Sequence, residues 1–268
     1  MNADICDANA LDKIFNTFKP DSVINFAGLK AVGESVANTL MYYDVNVGGS
    51  VSLLTAMSKA CCNNIVFSSS ATVYGKPKYL PYDEEHPTNP VNPYGRTKSI
   101  IENIIHDWIK VDLKWMGTVL RFFNPVGAHE AGWIGEEPIV IPNNLIPYIA
   151  QVADGCRELL NIFGNDYETA DGAEERDYIH VVDLALAHID TLNQSKLDKF
   201  EELNIGGAES TTVLEFIKSF EETSGVPIKF KYLPRRYGDL AAFWANSSKS
   251  SEKMSWKPER NMITKNLS

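Results

Sequence analysis

The sequence has few of the features that mark disulfide-bonded, metal-binding or membrane proteins. Its four cysteines form no CxxC motif and its five histidines are scattered, so we expect reduced thiols and no metal site. No apolar run approaches the roughly 20 residues of a membrane helix. The N-terminus, "MNADICDANA", lacks the basic and apolar regions of a secretory signal. Together these absences predict a cytoplasmic protein with no membrane partner.

Positive charge is also scarce, because the formal net charge is −10. Nucleic-acid binding needs a basic face, so this charge argues against a nucleic-acid partner. An anionic small ligand would require arginines placed locally. With 44% hydrophobic and 22% charged residues, the composition is that of an ordinary globular protein with a real core.

Strand and helix patterns alternate in the first half of the chain. Near-continuous apolar runs at 21–28, 63–70 and 115–123 predict buried strands. Between them, apolar residues recur at helical spacing over 40–60 and 94–109. Strands that alternate with helices indicate an α/β fold: a Rossmann-type parallel sheet with right-handed crossovers and helices on both faces.

The character of the chain changes after this region. Loops rich in proline, glycine and asparagine precede shorter elements, with helices predicted at 181–192 and 213–223. We therefore divide the chain into a first domain built on the parallel sheet, 1–123, and a smaller, loop-built second lobe, 124–268. Segments around 177–205 are expected to return to the first domain.

The spacing Tyr-x-x-x-Lys occurs twice, and only one occurrence has the right context. Pro77 lies between Tyr74 and Lys78, and proline does not fit a helix interior. Tyr94 and Lys98, in "NPYGRTK", instead follow a proline at a predicted helix start, where i,i+4 residues share a face. By itself this second pair could equally be a surface aromatic beside a surface amine.

Ser70 makes the helix pair more specific. It ends the preceding strand, and the carboxyl ends of parallel strands are where such sheets bind ligands, although a polar strand end is ordinary by itself. A neutral-pH tyrosine base needs about 4 kcal/mol of phenolate stabilisation, and an ammonium ~6 Å away supplies about 3 kcal/mol. We expect Lys98 to lower the pKa of Tyr94. The tyrosine would act as a base only when the positive ring of an oxidised nicotinamide is bound beside it.

Several strings resemble one family closely. They are "FAGLKAVGESV", "SSSATVYG", "NPYGRTK", "LRFFNPVGAH", "IPNNLIPYIAQVA", "IFGNDY" and "RDYIHVVDLA". They resemble the UDP-glucose 4-epimerase family, extended short-chain dehydrogenases/reductases, and the likeness is collinear from about Asp4 to Trp256. Dehydratase relatives usually carry Asp-Glu after the catalytic hydroxyl, whereas Ala71-Thr72 follow Ser70 here, which favours epimerisation.

The resemblance implies a reaction and a set of ligands. Tyr94 would take the proton from the sugar O4 while C4 passes a hydride to NAD; Ser70 would relay the proton and Lys98 would hold the nicotinamide ribose. The 4-keto sugar would then turn over and be reduced on its other face, interconverting UDP-glucose and UDP-galactose in galactose metabolism.

The implied binding residues fall into two groups. The cofactor contacts are Asp4, Ile5, Phe26, Ala27, Gly28, Lys30, Asn46, Tyr94, Lys98 and Phe123. The substrate contacts are Lys30, Ser70, Tyr94, Asn124, Asn144, Leu145, Phe163, Arg176, Arg236, Asp239 and Phe243. Two arginines suit a diphosphate, although arginines can also be surface ion-pair partners. The bulk of Phe243 would leave little room for an N-acetyl group.

The glycine-rich dinucleotide loop of that family is missing from the sequence, as is its last helix, so we expect a chain truncated at both ends. Such a chain would bind NAD poorly and turn over slowly or not at all. By family likeness, helices 40–60 and 94–110 would form a homodimer. Two alternatives are an epimerase or dehydratase of another nucleotide sugar, and a catalytically dead binding or dimerising module.

Overall fold

A four-stranded parallel sheet lies at the centre of the first half of the chain. The computed structural model describes residues 1–112, 114–136, 142, 144–193, 197–236, 240–254 and 256–260. The strands lie in the order β1 (Ser22–Asn25), β2 (Asn64–Ser68), β3 (Met116–Phe122) and β7 (Phe200–Ile205), and each neighbouring pair is parallel. The predicted Rossmann-type parallel sheet is confirmed.

Helices cover both faces of this sheet. One face packs against α1 (Ala8–Phe18), α4 (Gly49–Ala60) and α5 (Pro93–Val111), and the other against α7 (Val181–Asn193) and α9 (Ser248–Met254). Within β2, Ile65 and Phe67 enter the first core while Val66 enters the second. Side chains alternate along a strand, so a strand covered on both faces must be apolar throughout.

The predicted helix 40–60 is interrupted. Two short helices follow β1, namely α2 (Val32–Ala37) and α3 (Thr39–Tyr42), and a π-helical turn at Tyr43–Gly48 joins α3 to α4. The extra residue of that turn brings Asn46 inside, where its side chain is 3% exposed and hydrogen-bonded. No helix in the part of the chain that the structure describes has the length and apolarity needed to cross a bilayer.

Several strands and helices outside the central sheet form further sheets and a separate core, and we call this part of the structure the second lobe. Three parallel strands lie in the order β10 (Ala242–Phe243), β6 (Glu175–His180) and β4 (Asn124–Val126), and β8 (Ser210–Thr212) pairs antiparallel with β6. A separate parallel pair joins β5 (Leu160–Phe163) to β9 (Phe230–Leu233). Two helices complete this lobe, α6 (Leu145–Ala153) and α8 (Val213–Ser224), and their apolar faces pack over β5 and Tyr178.

The connection from β3 to β4 joins the two layers. The predicted strand 115–123 ends at Phe122, and the chain resumes as a strand at Asn124, now paired with β6 instead of β7. The polar end of β3 and the start of the second lobe are therefore adjacent.

Candidate active site

Three consecutive serines lie at the carboxyl end of β2. Ser68 and Ser69 are buried, and Ser70 begins a single 3-10 turn, Ala71–Val73. The Ser70 Oγ accepts hydrogen bonds from the Thr72 backbone N–H (3.3 Å) and hydroxyl (3.0 Å). The hydroxyl is thereby oriented by its own turn.

Helix α5 begins beside these serines. The Asn92 side chain caps it by accepting from the Gly95 N–H at 2.8 Å, and a proline occupies the first helical position. Tyr94 follows, 6% exposed, with its side chain near enough to Ser70 for that hydroxyl to lower the pKa of the phenol. The structure therefore brings together the tyrosine and the strand-end serine that the sequence predicted to be neighbours.

Lys98 lies one turn further along the helix. It is 6% exposed, its Nζ donates to the Ser68 carbonyl at 2.8 Å, and the Nζ lies 5.9 Å from the centre of the Tyr94 ring. Burial lowers the pKa of Lys98 to about 8, and Glu102 opposes that shift. Neutral pH is thus about one unit below the pKa of Lys98, and the ammonium form predominates there.

The expected lowering of the Tyr94 pKa is not what the structure shows. Burial raises the pKa of Tyr94 to about 12, and the bond with Ser70 only partly offsets that rise. Burial disfavours the phenolate because it removes the negative charge from water. Tyr94 is therefore protonated in the protein alone, and further positive charge is needed beside it before it can act as a base.

The loop after β1 has groups that fit a dinucleotide. The Asn25 Nδ2 is buried and has no hydrogen-bond partner within the described residues. Gly28 has φ +151°, and a Cβ there would lie 3.0 Å from the Asn46 Oδ1. The Asn46 Oδ1 accepts from the Leu29 N–H at 2.7 Å. The backbone at Gly28 carries no side chain and is supported by Asn46. The buried amide of Asn25 and the buried ammonium of Lys98 offer hydrogen-bond donors, so this strand end suits NAD.

Asn46 itself is largely occupied by protein partners. Its Nδ2 donates to the Leu29 carbonyl and to the Thr97 hydroxyl, each at 3.1 Å. The Thr97 hydroxyl in turn donates to the Tyr94 carbonyl at 2.7 Å. Asn46 therefore connects the loop after β1 to the first turn of α5, and one lone pair of its Oδ1 is left for a cofactor.

The other sequence-predicted cofactor residues are spread over three places. Asp4 is exposed and its carboxylate accepts from the Cys6 N–H at 2.8 Å, whereas Ile5 packs against the first core. Phe26 is 60% exposed at the end of β1, and Ala27 beside it is also exposed. Phe123, at the end of β3, is 4% exposed.

A cavity of about 1350 Å³ opens in the second lobe. Seven of the sequence-predicted substrate residues line it: Lys30, Asn124, Asn144, Leu145, Phe163, Arg176 and Arg236. Three others do not line it: Ser70, Tyr94 and Phe243. Asp239 lies outside the described residues. The proton-transfer cluster (Ser70, Tyr94 and Lys98) and the cavity are thus distinct parts of the candidate site. Residues 122–124 connect the two parts along the chain.

The two predicted arginines of the cavity have different surroundings. The Arg176 guanidinium donates to the Glu174 carboxylate at 2.6 Å and to the Leu240 carbonyl at 2.8 Å. The Arg236 guanidinium lies 4.4 Å from the centre of the Phe163 ring. Arg176 is held rigidly by its acid, while Arg236 is stacked on an aromatic face. Both arrangements leave a cation at the cavity wall.

Phe243 belongs to an aromatic cluster instead of the cavity wall. Its ring centre lies 5.1 Å from that of Tyr82 and 5.1 Å from that of Phe123. Since Phe123 ends β3, Phe243 packs directly beside the end of the central sheet. Its bulk therefore borders the region between the proton-transfer cluster and the second lobe.

The sequence reasoning missed two features of the site. Asn161 lines the cavity, and its buried Oδ1 has no hydrogen-bond partner in the described part of the chain. Glu102 is buried on α5, ion-paired with Arg121 of β3. A polar residue inside the apolar string "LNIF" was the available signal for the first, and a glutamate one turn after Lys98 was the signal for the second.

Comparison with known proteins agrees with this geometry. A family model described as GDP-mannose 4,6 dehydratase matches residues 1–264. The human protein named UDP-glucose 4-epimerase is 51% identical over 255 residues, which are 94% of this chain and 73% of that protein.

Solved structures give the same result. A UDP-glucose 4-epimerase from Stenotrophomonas maltophila, with bound NAD and formylated UDP-arabinopyranose, is 41% identical with a TM-score of 0.96, covering 100% of this chain and 80% of that one. The enzyme from Bifidobacterium longum, in complex with NAD+ and UDP, is 45% identical with a TM-score of 0.93, covering 98% and 79%. The chain therefore belongs to the GDP-mannose 4,6 dehydratase family and, within it, to the UDP-glucose 4-epimerases.

Proposed function

We propose that this protein is an NAD-dependent isomerase that interconverts UDP-glucose and UDP-galactose at C4. The observation that carries the proposal is the buried Tyr94 phenol, which lies beside the strand-end Ser70 and one helical turn from the buried Lys98 ammonium. The relatives named UDP-glucose 4-epimerase, at about half identity over nearly the whole chain, support the substrate and the reaction type. The reaction belongs to galactose metabolism.

The chain's own residues account for the proton transfer. When bound, NAD accepts a hydride from C4 and returns it to the opposite face of the sugar. Tyr94, as the phenolate, removes the O4 proton while the C4–O4 bond becomes a carbonyl, and it returns that proton when the ketone is reduced. Ser70 relays the proton. Lys98 holds the nicotinamide ribose and stabilises the phenolate.

Cofactor and substrate contacts are assigned to the residues that match the family strings. We assign NAD to Asp4, Ile5, Phe26, Ala27, Gly28, Lys30, Asn46, Tyr94, Lys98 and Phe123. We assign the UDP-sugar to Lys30, Ser70, Tyr94, Asn124, Asn144, Leu145, Phe163, Arg176, Arg236, Asp239 and Phe243. Arginines bind phosphate oxygens in pairs of hydrogen bonds, which suits an acidic protein that must hold a diphosphate. Asn161 also lines this cavity, and its buried Oδ1, which has no partner among the residues that the structure describes, is proposed as a further acceptor.

The test is turnover of UDP-galactose to UDP-glucose by the purified protein, with NAD added in excess. Because the chain is expected to bind NAD poorly, we expect slow turnover that depends on the added NAD, and a transient NADH-like absorbance on addition of the UDP-sugar. A panel of nucleotide sugars, including N-acetylated and GDP-linked ones, separates this reaction from that of another epimerase or a dehydratase. A protein that binds UDP-galactose but shows neither absorbance nor product would be a binding module, and the proposal would be wrong.

We further propose a cytoplasmic homodimer. Leu40 (85% exposed), Met41 and Val51 present apolar side chains on the segment 40–60, next to helix α5. Exposed apolar groups on neighbouring helices favour association through those helices. Light scattering at several protein concentrations tests this, and a strictly monomeric mass at all of them would contradict it.

A further inference from the structure

Helix α5 contacts all three serines of Ser68–Ser70, not only the last one. Tyr94, Lys98 and Glu102 stand at intervals of four residues on the helix. The Tyr94 side chain lies beside the third serine, whose hydroxyl lowers the pKa of the phenol, and the Lys98 Nζ donates to the first serine carbonyl at 2.8 Å. The Glu102 Oε1 accepts from the second serine hydroxyl at 2.5 Å. Glu102 is therefore the third member of one three-point contact between helix and strand.

The Glu102 carboxylate is fixed from behind by β3. The Arg121 Nη2 donates to the Glu102 Oε2 at 2.7 Å, and its Nε lies 3.2 Å from each carboxylate oxygen. Both side chains are 3% exposed. The same guanidinium nitrogen donates to Glu202 at 2.6 Å, so Arg121 has two acidic partners. Buried charges need such pairing, and the fork geometry holds the carboxylate in one orientation.

The charge of Glu102 acts on Lys98. Burial lowers the pKa of Lys98 to about 8, and the nearby carboxylate of Glu102 raises it against that effect. The other ionisable groups around Lys98 are Tyr94 on its own helix, Arg121 beyond the carboxylate, and His188 of α7, which bonds to the hydroxyl of Ser68. Burial lowers the pKa of His188, so its imidazole is neutral near pH 7. Neither the neutral tyrosine nor the neutral histidine can replace the carboxylate in favouring an ammonium.

We infer that Glu102 is a positioning residue for the proposed epimerisation: held by Arg121, it fixes Ser69 at the strand end and places a buried negative charge on the helix one turn beyond Lys98. This inference rests on the proposed function. Glu102 touches no reacting atom. It acts through Lys98, whose charge stabilises the tyrosine base, and through Ser69, the neighbour of the proton-relaying serine.

The experiment compares Glu102→Gln with the matched control Glu202→Gln. Each substitution removes one carboxylate from the Arg121 guanidinium, but only the first removes it from α5. For Glu102→Gln we expect the basic limb of the kcat–pH profile to move down by about one pH unit, because the carboxylate that raises the pKa of Lys98 is lost and a nearby opposite charge typically shifts a pKa by about 1–3 units. The KM for UDP-galactose should stay within about twofold. The Glu202→Gln profile should keep its limb in the parent position.

A second measurement separates this inference from the proposed function. NMR titration of isotopically labelled lysine side-chain nitrogens, in the protein without cofactor, reports the Lys98 pKa directly, with Lys98→Met assigning the signal. The same downward shift is expected there. If Glu102→Gln does not fold because Arg121 is left underpaired, the double variant Glu102→Gln, Arg121→Gln removes both charges and should shift in the same direction by less.

The outcomes are distinct. Unchanged titration and unchanged pH profiles in folded Glu102→Gln would overturn the inference and leave the epimerase assignment intact. A parent protein without epimerase activity would instead contradict the proposed function, while the lysine titration would still decide the role of Glu102.

Discussion

The proton-transfer cluster and the cavity of the second lobe are built in opposite ways. Tyr94, Lys98 and Glu102 are each less than a tenth exposed and lie on one regular helix, and the last two bond to a strand end. The cavity, at about 1350 Å³, is instead lined by residues of several elements, including β4, β5, β6, α6 and α7, and of the loops between them, and many of these side chains are only half-buried. Proton transfer needs groups fixed within hydrogen-bonding reach, whereas the proposed 4-keto sugar needs room to turn over. The groups of the proton-transfer cluster are thus held in place by one helix, whereas the cavity offers space in which the sugar can turn.

This contrast predicts different kinetic signatures for the two regions. Substitutions in the cluster should lower kcat, because they affect groups that act in the transition state. Substitutions at the cavity wall should raise KM, because they affect binding common to ground and transition states. Four substitutions test this division, in order of decreasing effect.

Removing the proton acceptor should have the largest effect. We expect Tyr94→Phe to lower kcat by about 10³-fold, within the usual range for a general base, with little change in KM. Phenylalanine keeps the ring in its buried place, so circular dichroism should match the parent. A Tyr94→Phe enzyme that retains more than a tenth of parent kcat would remove the cluster from the chemistry.

Removing the ammonium should have the next largest effect. We expect Lys98→Met to lower kcat by about 10²-fold, because the phenolate loses its neighbouring positive charge. The parent rate should fall as pH rises through about 8, since the buried Lys98 has its pKa lowered to about 8 and loses its proton there. The variant should lack this basic limb. A pH–rate profile identical to the parent's would contradict the role given to Lys98.

At the cavity wall, two adjacent arginines give a matched pair. Arg236 lines the cavity over Phe163, whereas Arg235 stacks on Tyr167 and pairs with Asp166 at 2.7 Å on the surface. We expect Arg236→Ala to raise the KM for UDP-galactose by about 10- to 100-fold, the loss of a charge-assisted hydrogen bond or two, with kcat nearly unchanged. Arg235→Ala should leave both constants within about twofold. Equal effects in the two variants would show that charge alone matters, not the cavity.

The smallest effect is one of specificity. Phe243→Ala should open space beside the end of β3 and raise kcat/KM for N-acetylated UDP-sugars by about 10-fold, while UDP-galactose changes less. The parent should strongly prefer UDP-galactose to UDP-N-acetylgalactosamine. Equal turnover of both sugars by the parent would make Phe243 irrelevant to selection.

The part of the site that the sequence predicted is the part governed by regular geometry. Ser70 and Tyr94 could be brought together on paper because strand ends in a parallel sheet share an edge and i,i+4 residues share a helix face. The pKa of Tyr94 could not be predicted in direction. Its rise depends on how completely the phenol is buried, which follows from tertiary packing.

The missed features depend on contacts between distant segments. The pair Glu102–Arg121 joins a helix to the following strand, and local spacing does not reveal a buried ion pair of this kind. The π-helical turn at Tyr43–Gly48 adds a single residue to a helical pattern, too small a change for apolar periodicity to register. Asn161 appeared as one polar residue in a strand, and only the cavity beside it gives its unpaired oxygen a purpose.

The attachment of helix α5 to three successive serines also limits how this segment can change in evolution. One residue inserted between Phe67 and Ser70 would turn every following side chain to the other side of the strand. The Ser68 carbonyl would then no longer face the Lys98 ammonium, and the Ser69 hydroxyl would no longer face the Glu102 carboxylate. Length variation among homologous chains should therefore be absent from residues 67–70, a stretch of four residues that carries no obvious glycine or proline signature of constraint.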